Sequence, residues 1–185
     1  KLPKVSVIIP TLGRPAGLKK CKDSIKKLIY PQELIEVLVY DGEDTVPNKV
    51  AQGVSEATGE VYVYAANDME FTPESLILAV IASKDKGLVA FHEGDIYPDE
   101  GNICTHFLIT KELTEKLGGI FDTRIFHTGC DNLLWAKAQK LGQAIHLNNA
   151  WIIHNHFSKG AEFDEVYKIG WDEEKRAHDL EILKQ

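Results

Sequence analysis

The first half of the chain alternates short apolar runs with stretches of helical periodicity, and this order limits the folds it can adopt. Residues 5–9 are apolar on both faces, which predicts a buried strand closed by Pro10. Further strands are predicted at residues 35–40 and 61–65, and helices at residues 48–57, capped by Asn48, and from Pro73 onward. The first helix is predicted from apolar residues spaced by three and four: Leu18, Cys21, Ile25, Leu28 and Ile29. This alternation predicts an α/β fold with a mostly parallel, helix-covered sheet.

The second half of the chain is less regular. Strands are predicted at residues 87–91, 103–109, 144–147 and 151–154, and a helix at residues 133–141, while residues 92–102 are polar and rich in turn formers. A helical stripe over residues 162–183 predicts a closing helix that is interrupted near Gly170. At 185 residues, the chain has the length of a single domain.

Charge and hydrophobicity exclude several classes of protein. The chain has 21 Lys and Arg against 28 Asp and Glu, a net charge of −7 without a basic stripe, so nucleic acid is not an expected partner. Its apolar runs are far shorter than the roughly 20 residues that cross a bilayer, so no transmembrane segment is expected. Three widely spaced cysteines and no signal-peptide pattern favour a cytoplasmic chain.

Acidic loops follow the predicted strands. In open parallel sheets, ligands bind where the carboxyl ends of the strands meet, which here are the loops at residues 10–17, 41–47 and 67–72. None of the three is a glycine-rich phosphate loop. A divalent cation, Mg²⁺ or Mn²⁺, would allow such carboxylates to hold a phosphate. Taken singly, the acidic residues are also typical of solvated turns: Asp41, Glu43, Asp44, Asp68 and Glu70.

Seven motifs in order resemble the family 2 glycosyltransferases of the GT-A fold. Four of them lie in the first half of the chain. The first is Val5-Ser6-Val7-Ile8-Ile9-Pro10-Thr11 followed by Arg14-Pro15, and the second runs from Ile35 to Asp41-Gly42. The third is Ala57-Thr58-Gly59-Glu60-Val61 and the fourth is Asn67-Asp68-Met69-Glu70. In the second half, they are Gly118-Gly119-Ile120-Phe121-Asp122, Gly129-Cys130-Asp131-Asn132 and His154-Asn155-His156-Phe157-Ser158. The resemblance implies a Rossmann-like GT-A sheet with a nucleotide-binding half over residues 1–91, an acceptor-side half over 92–160 and a closing helix over 161–185.

The resemblance implies a role for each matching residue. The Asp-x-Asp metal motif is matched by Ala66-Asn67-Asp68, with Ala66 in place of its first carboxylate, or loosely by Asp68-Met69-Glu70. Asp68 belongs to both matches. Tyr40 stands where the family usually has the first Asp of a pair. Nucleotide contacts are implied for Pro10, Thr11, Arg14, Asp41 and Asn67, with Thr11 at the base and Arg14 at a phosphate. The family also places a C-terminal histidine near the metal, and either His154 or His156 matches it. In an extended segment, both rings would point to one face.

Similarity to the family implies inverting transfer of a sugar from a nucleotide-diphosphate donor to a hydroxyl of unknown identity: saccharide, lipid-linked or protein. Asp131 matches the general base of that reaction. Its position near the start of a helix is also typical of an N-cap carboxylate. His106, Phe107 and Thr128 fall in segments that would border the acceptor cleft.

Two other functions remain open at this point. Ala66, Tyr40 and the short chain are compatible with a catalytically inactive module that binds a nucleotide sugar. A sugar nucleotidyltransferase would need a glycine-rich, basic loop after the first strand, whereas Thr11-Leu12-Gly13-Arg14-Pro15 has one glycine and one arginine. The inactive module is therefore the main alternative to a transferase.

Overall fold

The computed structural model of the protein describes residues 1–94, 104–157, 160–170 and 172–185. The strands are β1 Val5–Pro10, β2 Ile35–Tyr40, β3 Val61–Tyr64, β4 Met69–Phe71, β5 Leu88–His92, β6 Phe107–Thr110 and β7 Ala144–His154. The α-helices are α1 Pro15–Ile25, α2 Val46–Glu56, α3 Ser75–Ala82, α4 Lys111–Leu117, α5 Cys130–Lys140, α6 Glu165–Gly170 and α7 Glu173–Leu183. A 3-10 turn at Gln32–Leu34 precedes β2.

All seven strands form one sheet in the order β2-β1-β3-β6-β5-β7-β4. Strand β1 runs parallel to both β2 and β3, as the strand-helix alternation predicts. In the second half, β6 runs antiparallel to both β3 and β5. Strand β7 runs parallel to β5, and β4 runs antiparallel to β7. The α/β class with a mixed C-terminal half is confirmed.

Apolar side chains on the two faces of the sheet pack into two clusters. On one face, Val5, Val7 and Ile9 pack with buried residues of α1 and α3. On the other face, Ile8 packs with Val50 of α2 and with buried residues of α4 and α5. Because successive strand side chains point to opposite faces, an apolar strand supplies both layers at once.

Several predicted boundaries are wrong. The loop expected at residues 67–72 contains β4, and the two strands expected at residues 144–147 and 151–154 are the single strand β7, with a bulge opposite Phe91 and His92. Helix α2 is capped by Thr45, whose side chain accepts from the Asn48 amide, and not by Asn48 itself. Helix α5 begins at Cys130, three residues before the predicted start. Strand pairing decides the first two, since β4 and β7 pair with each other and β7 also pairs with β5, whereas the cap of α2 and the start of α5 are local differences at helix ends.

The closing segment consists of two helices. Helix α6 ends at Gly170, where the interruption was predicted, and Asp172 caps α7 by accepting from the Lys175 amide at 3.0 Å. The predicted segment at residues 92–102 and the strand start at Ile103 lie almost wholly outside the described residues, as does Ser158. Cys21, Cys104 and Cys130 are buried and free. Within the described ranges, no helix has the length and apolar character that crossing a membrane requires.

Candidate functional site

The loops that follow β1 and β3 are joined by hydrogen bonds at the carboxyl ends of these strands. Pro10 ends β1, buried opposite Tyr40, and the next amide, of Thr11, donates to the Tyr40 carbonyl at 2.9 Å. The side-chain Nδ2 of Asn67 donates to the Thr11 hydroxyl at 2.7 Å, and both side chains are buried. Two residues that the sequence assigns to nucleotide binding therefore lie in contact and support each other.

A buried lysine that the sequence analysis missed ties these loops to the loop after β2. Lys49 of α2 donates to the Thr11 carbonyl at 2.8 Å and to the Gly42 carbonyl. Burial lowers the pKa of Lys49, against the raising effect of Asp41 and Asp44. Asp41 itself is exposed and accepts from the Gly42 amide at 2.9 Å. The sequence signal for this role is a lysine placed next to the apolar positions Pro47 and Val50 that α2 buries.

Two features fix the position of Asp68: the close packing of α1 against the preceding residue, and the pairing of the following strand, β4, with β7. Gly17 of α1 lies so near the Asn67 carbonyl that a Cβ atom there would be 2.1 Å from its oxygen, so only glycine allows this approach. Strand β4 starts directly after Asp68 and pairs Met69 with His154 of β7. The register thereby brings the His154 side chain to the Asp68 carboxylate.

The two oxygens of the Asp68 carboxylate have different neighbours. Oδ1 lies 3.7 Å from Nε2 of His154, while Oδ2 accepts from Nη1 of Arg14 at 3.1 Å and from the Tyr167 hydroxyl at 2.8 Å. Burial by itself would raise the pKa of Asp68, but the contacts with His154 and Tyr167 and the charge of His106 hold it below its usual range. Asp68 is therefore ionised at neutral pH.

Behind Asp68, the Glu93 carboxylate joins two imidazoles. Its Oε1 lies 2.7 Å from Nδ1 of His106 and its Oε2 lies 2.7 Å from Nδ1 of His154. The Thr105 hydroxyl also donates to Oε1. Burial opposes ionisation of Glu93, yet the two histidines hold the pKa of Glu93 below its usual range. Burial would also lower the pKa of His154, but its contacts with Asp68 and Glu93 outweigh that effect and raise the pKa to about 9.

Sequence reasoning missed this arrangement. Glu93 follows β5 and His106 precedes β6, so their meeting depends on the antiparallel pairing of those strands. Nothing in the spacing of the sequence marks either residue as a partner of His154.

The donor set suits a divalent ion. Asp68, His106 and His154 each offer a ligand atom, and these atoms lie within 4.8 Å of one another. Two imidazoles and one carboxylate are ligands typical of Mn²⁺ and its neighbours among the transition metals. The ring of His156 lies 5.1 Å from that of His154 between centroids, but this cluster does not include it. Its assignment as a ligand stays a prediction.

Arg14, predicted to contact a phosphate, is held by carboxylates in this structure. Its Nε and Nη2 donate to the two oxygens of Asp164 at 2.7 Å each, and its guanidinium lies 4.0 Å from the ring centre of Tyr167. These contacts, together with the one to Asp68, attach the segment that leads into α6 to the end of β1. The Arg14 guanidinium thus lies at the site, but its hydrogen-bond donors are bound to Asp164 and Asp68.

Asp131 lies in the first turn of α5, and the N-cap position belongs to Gly129. The interpretation of Asp131 as an N-cap is therefore wrong; its Oδ1 accepts locally, from the Asn132 amide at 2.9 Å. Burial raises the pKa of Asp131, partly offset by His127 and His106. The influence of His106 puts Asp131 within electrostatic reach of the Asp68 cluster.

A buried carboxylate of α7 holds the loop that precedes Asp131. Asp179 is fully buried and accepts from three successive backbone amides, those of Phe126, His127 and Thr128, at 2.8, 2.9 and 2.7 Å. Sequence analysis missed it, because an acidic residue in a charged helix is most often exposed.

Solved structures of similar fold include a mannosyltransferase and structures of S. aureus TarS. The mannosyltransferase PcManGT of Pyrobaculum calidifontis, in complex with GDP-Man and Mn²⁺, aligns with 82% of this chain at 20% identity and a TM-score of 0.70. Residues 1–349 of S. aureus TarS align with 96% of it at 14% identity and a TM-score of 0.68, and the same protein with UDP-GlcNAc aligns with 86% at 15% and 0.66.

The chain shares the GT-A-like fold of these proteins. It spans 56% of the mannosyltransferase and 61 to 70% of the two TarS structures. No family model matches the chain, and neither does any curated protein sequence.

Proposed function

We propose that this chain is the catalytic domain, over residues 1–185, of an inverting family 2 glycosyltransferase that uses a nucleotide-diphosphate sugar and a divalent metal, Mn²⁺ or Mg²⁺. The observation that carries the proposal is the cluster of Asp68, His106 and His154 at the carboxyl end of β3, within electrostatic reach of Asp131. A GT-A-like neighbour of this chain holds GDP-Man and Mn²⁺. The fold and the donor set together favour a nucleotide-sugar site.

On this proposal, the residues of the first three strands bind the donor. Asp41, exposed at the end of β2, contacts the base or ribose, while the bonded pair of Thr11 and Asn67 and the neighbouring Pro10 form the floor of the nucleotide pocket. Arg14 reaches a phosphate once it leaves Asp164. Asp68, His154 and His106 hold the metal, with His156 as a further candidate ligand. When bound, the metal neutralises charge on the departing diphosphate.

Asp131 is the proposed general base. It accepts the proton of the acceptor hydroxyl while the new glycosidic C–O bond forms, and the old C–O bond breaks with its electron pair leaving on the nucleoside diphosphate. Burial raises the pKa of Asp131, which strengthens it as a base at neutral pH. A positioned base contributes about 10²- to 10⁴-fold to the rate.

The decisive experiment measures donor binding and transfer separately. GDP, UDP and dTDP and their sugars are first screened by thermal shift with and without Mn²⁺, because a ligand of the native state raises the melting temperature. With the donor found, release of nucleoside diphosphate is followed in the wild type, in Asp131→Asn and in Asp85→Asn, an exposed control. We expect Asp131→Asn to retain donor affinity but to lose about 10²- to 10⁴-fold in turnover. Unchanged turnover would remove Asp131 from this role.

The inactive binding module remains the second candidate, because Ala66 removes the first carboxylate of the metal motif. It requires nucleotide binding with neither sugar transfer nor hydrolysis of the donor. Any release of nucleoside diphosphate that depends on Asp131 would eliminate it. A hydroxyl acceptor and a cytoplasmic location complete the proposal; cell fractionation with an antibody to this chain would test the location.

A further inference from the structure

Glu93 lies between two histidines that come from different strands. One carboxylate oxygen faces Nδ1 of His106 and the other faces Nδ1 of His154, each at 2.7 Å. The side chains are nearly buried, with exposed fractions of 5% for Glu93, 3% for His106 and 8% for His154. Water therefore competes little for these hydrogen bonds, and the orientation of both rings depends on Glu93.

The chemistry of the side chains decides which nitrogens remain for a metal. An ionised carboxylate only accepts, so each imidazole must present an N–H at Nδ1. The nitrogen left to each ring is then Nε2, and that of His154 already faces Oδ1 of Asp68 at 3.7 Å. Glu93 thereby supports two nitrogen donors at one time, in the way that outer carboxylates orient metal-bound histidines.

We propose that Glu93 is the positioning residue that directs Nε2 of His106 and of His154 toward Asp68, and that this pair of nitrogen donors makes the site select a transition-metal ion over Mg²⁺. The inference deepens the proposed function. Imidazole suits transition metals, whereas Mg²⁺ prefers oxygen ligands and keeps several waters. The preference for Mn²⁺ therefore depends on Glu93, while weak Mg²⁺ binding depends on Asp68 alone.

Glu93→Gln tests the orientation directly. The amide has one oxygen to accept from one ring, and its NH₂ group donates to the other, which must then carry its own proton on Nε2. One of the two nitrogen ligands is lost without loss of side-chain volume. We expect the Mn²⁺ affinity to fall by about 10- to 100-fold and the Mg²⁺ affinity to change by less than about threefold.

The measurement is calorimetric titration of Mn²⁺ and Mg²⁺ into the whole chain without nucleotide. Glu115→Gln, which removes one exposed carboxylate from α4, is the matched control and should leave both affinities unchanged. Nitrogen NMR of the Zn²⁺-loaded protein adds a structural readout: two histidines bound through Nε2 in the wild type and one in Glu93→Gln. Equal Mn²⁺ affinities of Glu93→Gln and wild type, or a wild type that does not prefer Mn²⁺, would overturn the proposal.

A second variant decides the matter if Glu93→Gln does not fold. His106→Gln removes one nitrogen donor and leaves the contact between Glu93 and His154 in place, so it should also lose the preference for Mn²⁺. If it binds Mn²⁺ as the wild type does, the proposal fails. Because no nucleotide is present, a chain that selects Mn²⁺ but binds no nucleotide sugar would contradict the proposed function and leave the role of Glu93 intact.

Discussion

The Arg14 side chain already binds the carboxylates of Asp164 and Asp68, so any phosphate must compete with them for its hydrogen bonds. Its guanidinium is planar and forked, which matches the two oxygens of Asp164 as well as it would match a phosphate. It also contacts Oδ2 of Asp68 at 3.1 Å. A diphosphate that binds through Arg14 must therefore compete with Asp164 for the same hydrogen bonds.

Asp164→Asn is expected to raise the affinity for a nucleoside diphosphate. The variant removes the charge that competes for Arg14, and a partly exposed ion pair is worth about 1 kcal/mol or less, so the gain should be roughly two- to fivefold. Calorimetry with GDP or UDP in Mn²⁺ measures it. Glu165→Gln, an exposed neighbour that pairs with Lys168, is the control. A lower affinity in Asp164→Asn would mean that Asp164 assists binding.

Glu36 supplies a prediction on pH that does not involve the site. It accepts from the Ser6 hydroxyl and from the Thr58 amide and hydroxyl, at 2.6 and 2.8 Å for Thr58. Burial would raise the pKa of Glu36, but these hydrogen bonds lower it to about 2, from an ordinary value of 4.5. Because the folded-state pKa is depressed, this stabilisation is fully present above pH 4.5 and is lost as the pH falls toward 2.

Glu36→Gln should lower the free energy of unfolding by about 1–3 kcal/mol at pH 7. The difference from the wild type should shrink between pH 4.5 and about 2, as the wild-type carboxylate becomes protonated. Urea unfolding at several pH values measures this. Glu33→Gln, on an exposed turn, should show no such dependence, and a difference that stays constant with pH would contradict the assignment.

At the scale of elements, α7 acts as a support for the loop before α5. Besides the three amides bound by Asp179, Leu183 packs against Gly129, where φ is +76° and a Cβ atom would lie 2.5 Å from Leu183 Cδ1. Any larger residue at position 129 would be strained at this φ, and the Leu183 side chain would have to move to admit its Cβ atom. The position of Asp131 thus depends on an element that lies about 50 residues later in the chain.

Asp179→Asn should reduce both stability and turnover. Its NH₂ group would face backbone donors, so the unfolding free energy should fall by about 1–3 kcal/mol. Displacement of Asp131 should lower kcat by roughly 10- to 100-fold while the dissociation constant of the donor stays constant. Denaturation and steady-state kinetics measure the two effects. Glu181→Gln, exposed on the same helix, should change neither. Normal kcat in a destabilised Asp179→Asn would show a purely structural role.

On the scale of the whole molecule, the proposed metal site joins distant parts of the sheet. Asp68 follows β3, His106 precedes β6 and His154 ends β7, so a bound ion would connect three segments that separate on unfolding. An ion that binds only the folded chain therefore stabilises all of it.

Saturating Mn²⁺ should raise the melting temperature, and a chelator should reverse the rise. At 100 times the dissociation constant, binding adds about 2.7 kcal/mol. For a domain of this size, that corresponds to roughly 5–10 °C. Asp68→Asn should lose the shift and Asp85→Asn should retain it, as seen in thermal scans. A wild-type melting temperature that does not respond to Mn²⁺ would contradict metal binding by the native state.

The sequence by itself determined the elements whose signals are local. The strands at residues 35–40 and 61–65, the helix that contains residues 18–25 and the break at Gly170 could be predicted, because side-chain periodicity and chain breakers act within a few residues. The motif order pointed to Asp68 and His154, which the fold brings together.

Only the tertiary structure decided the rest. The pairing of β5 with β6, and of β4 with β7, sets which side chains face Asp68, and a register between distant strands leaves no periodic trace in the sequence. Glu93 and His106 entered the site in this way, whereas Asp179 holds the loop before α5 through the packing of α7. Their roles depend on buried hydrogen bonds between segments that are far apart in the chain, and such bonds exist only once the sheet and α7 have packed.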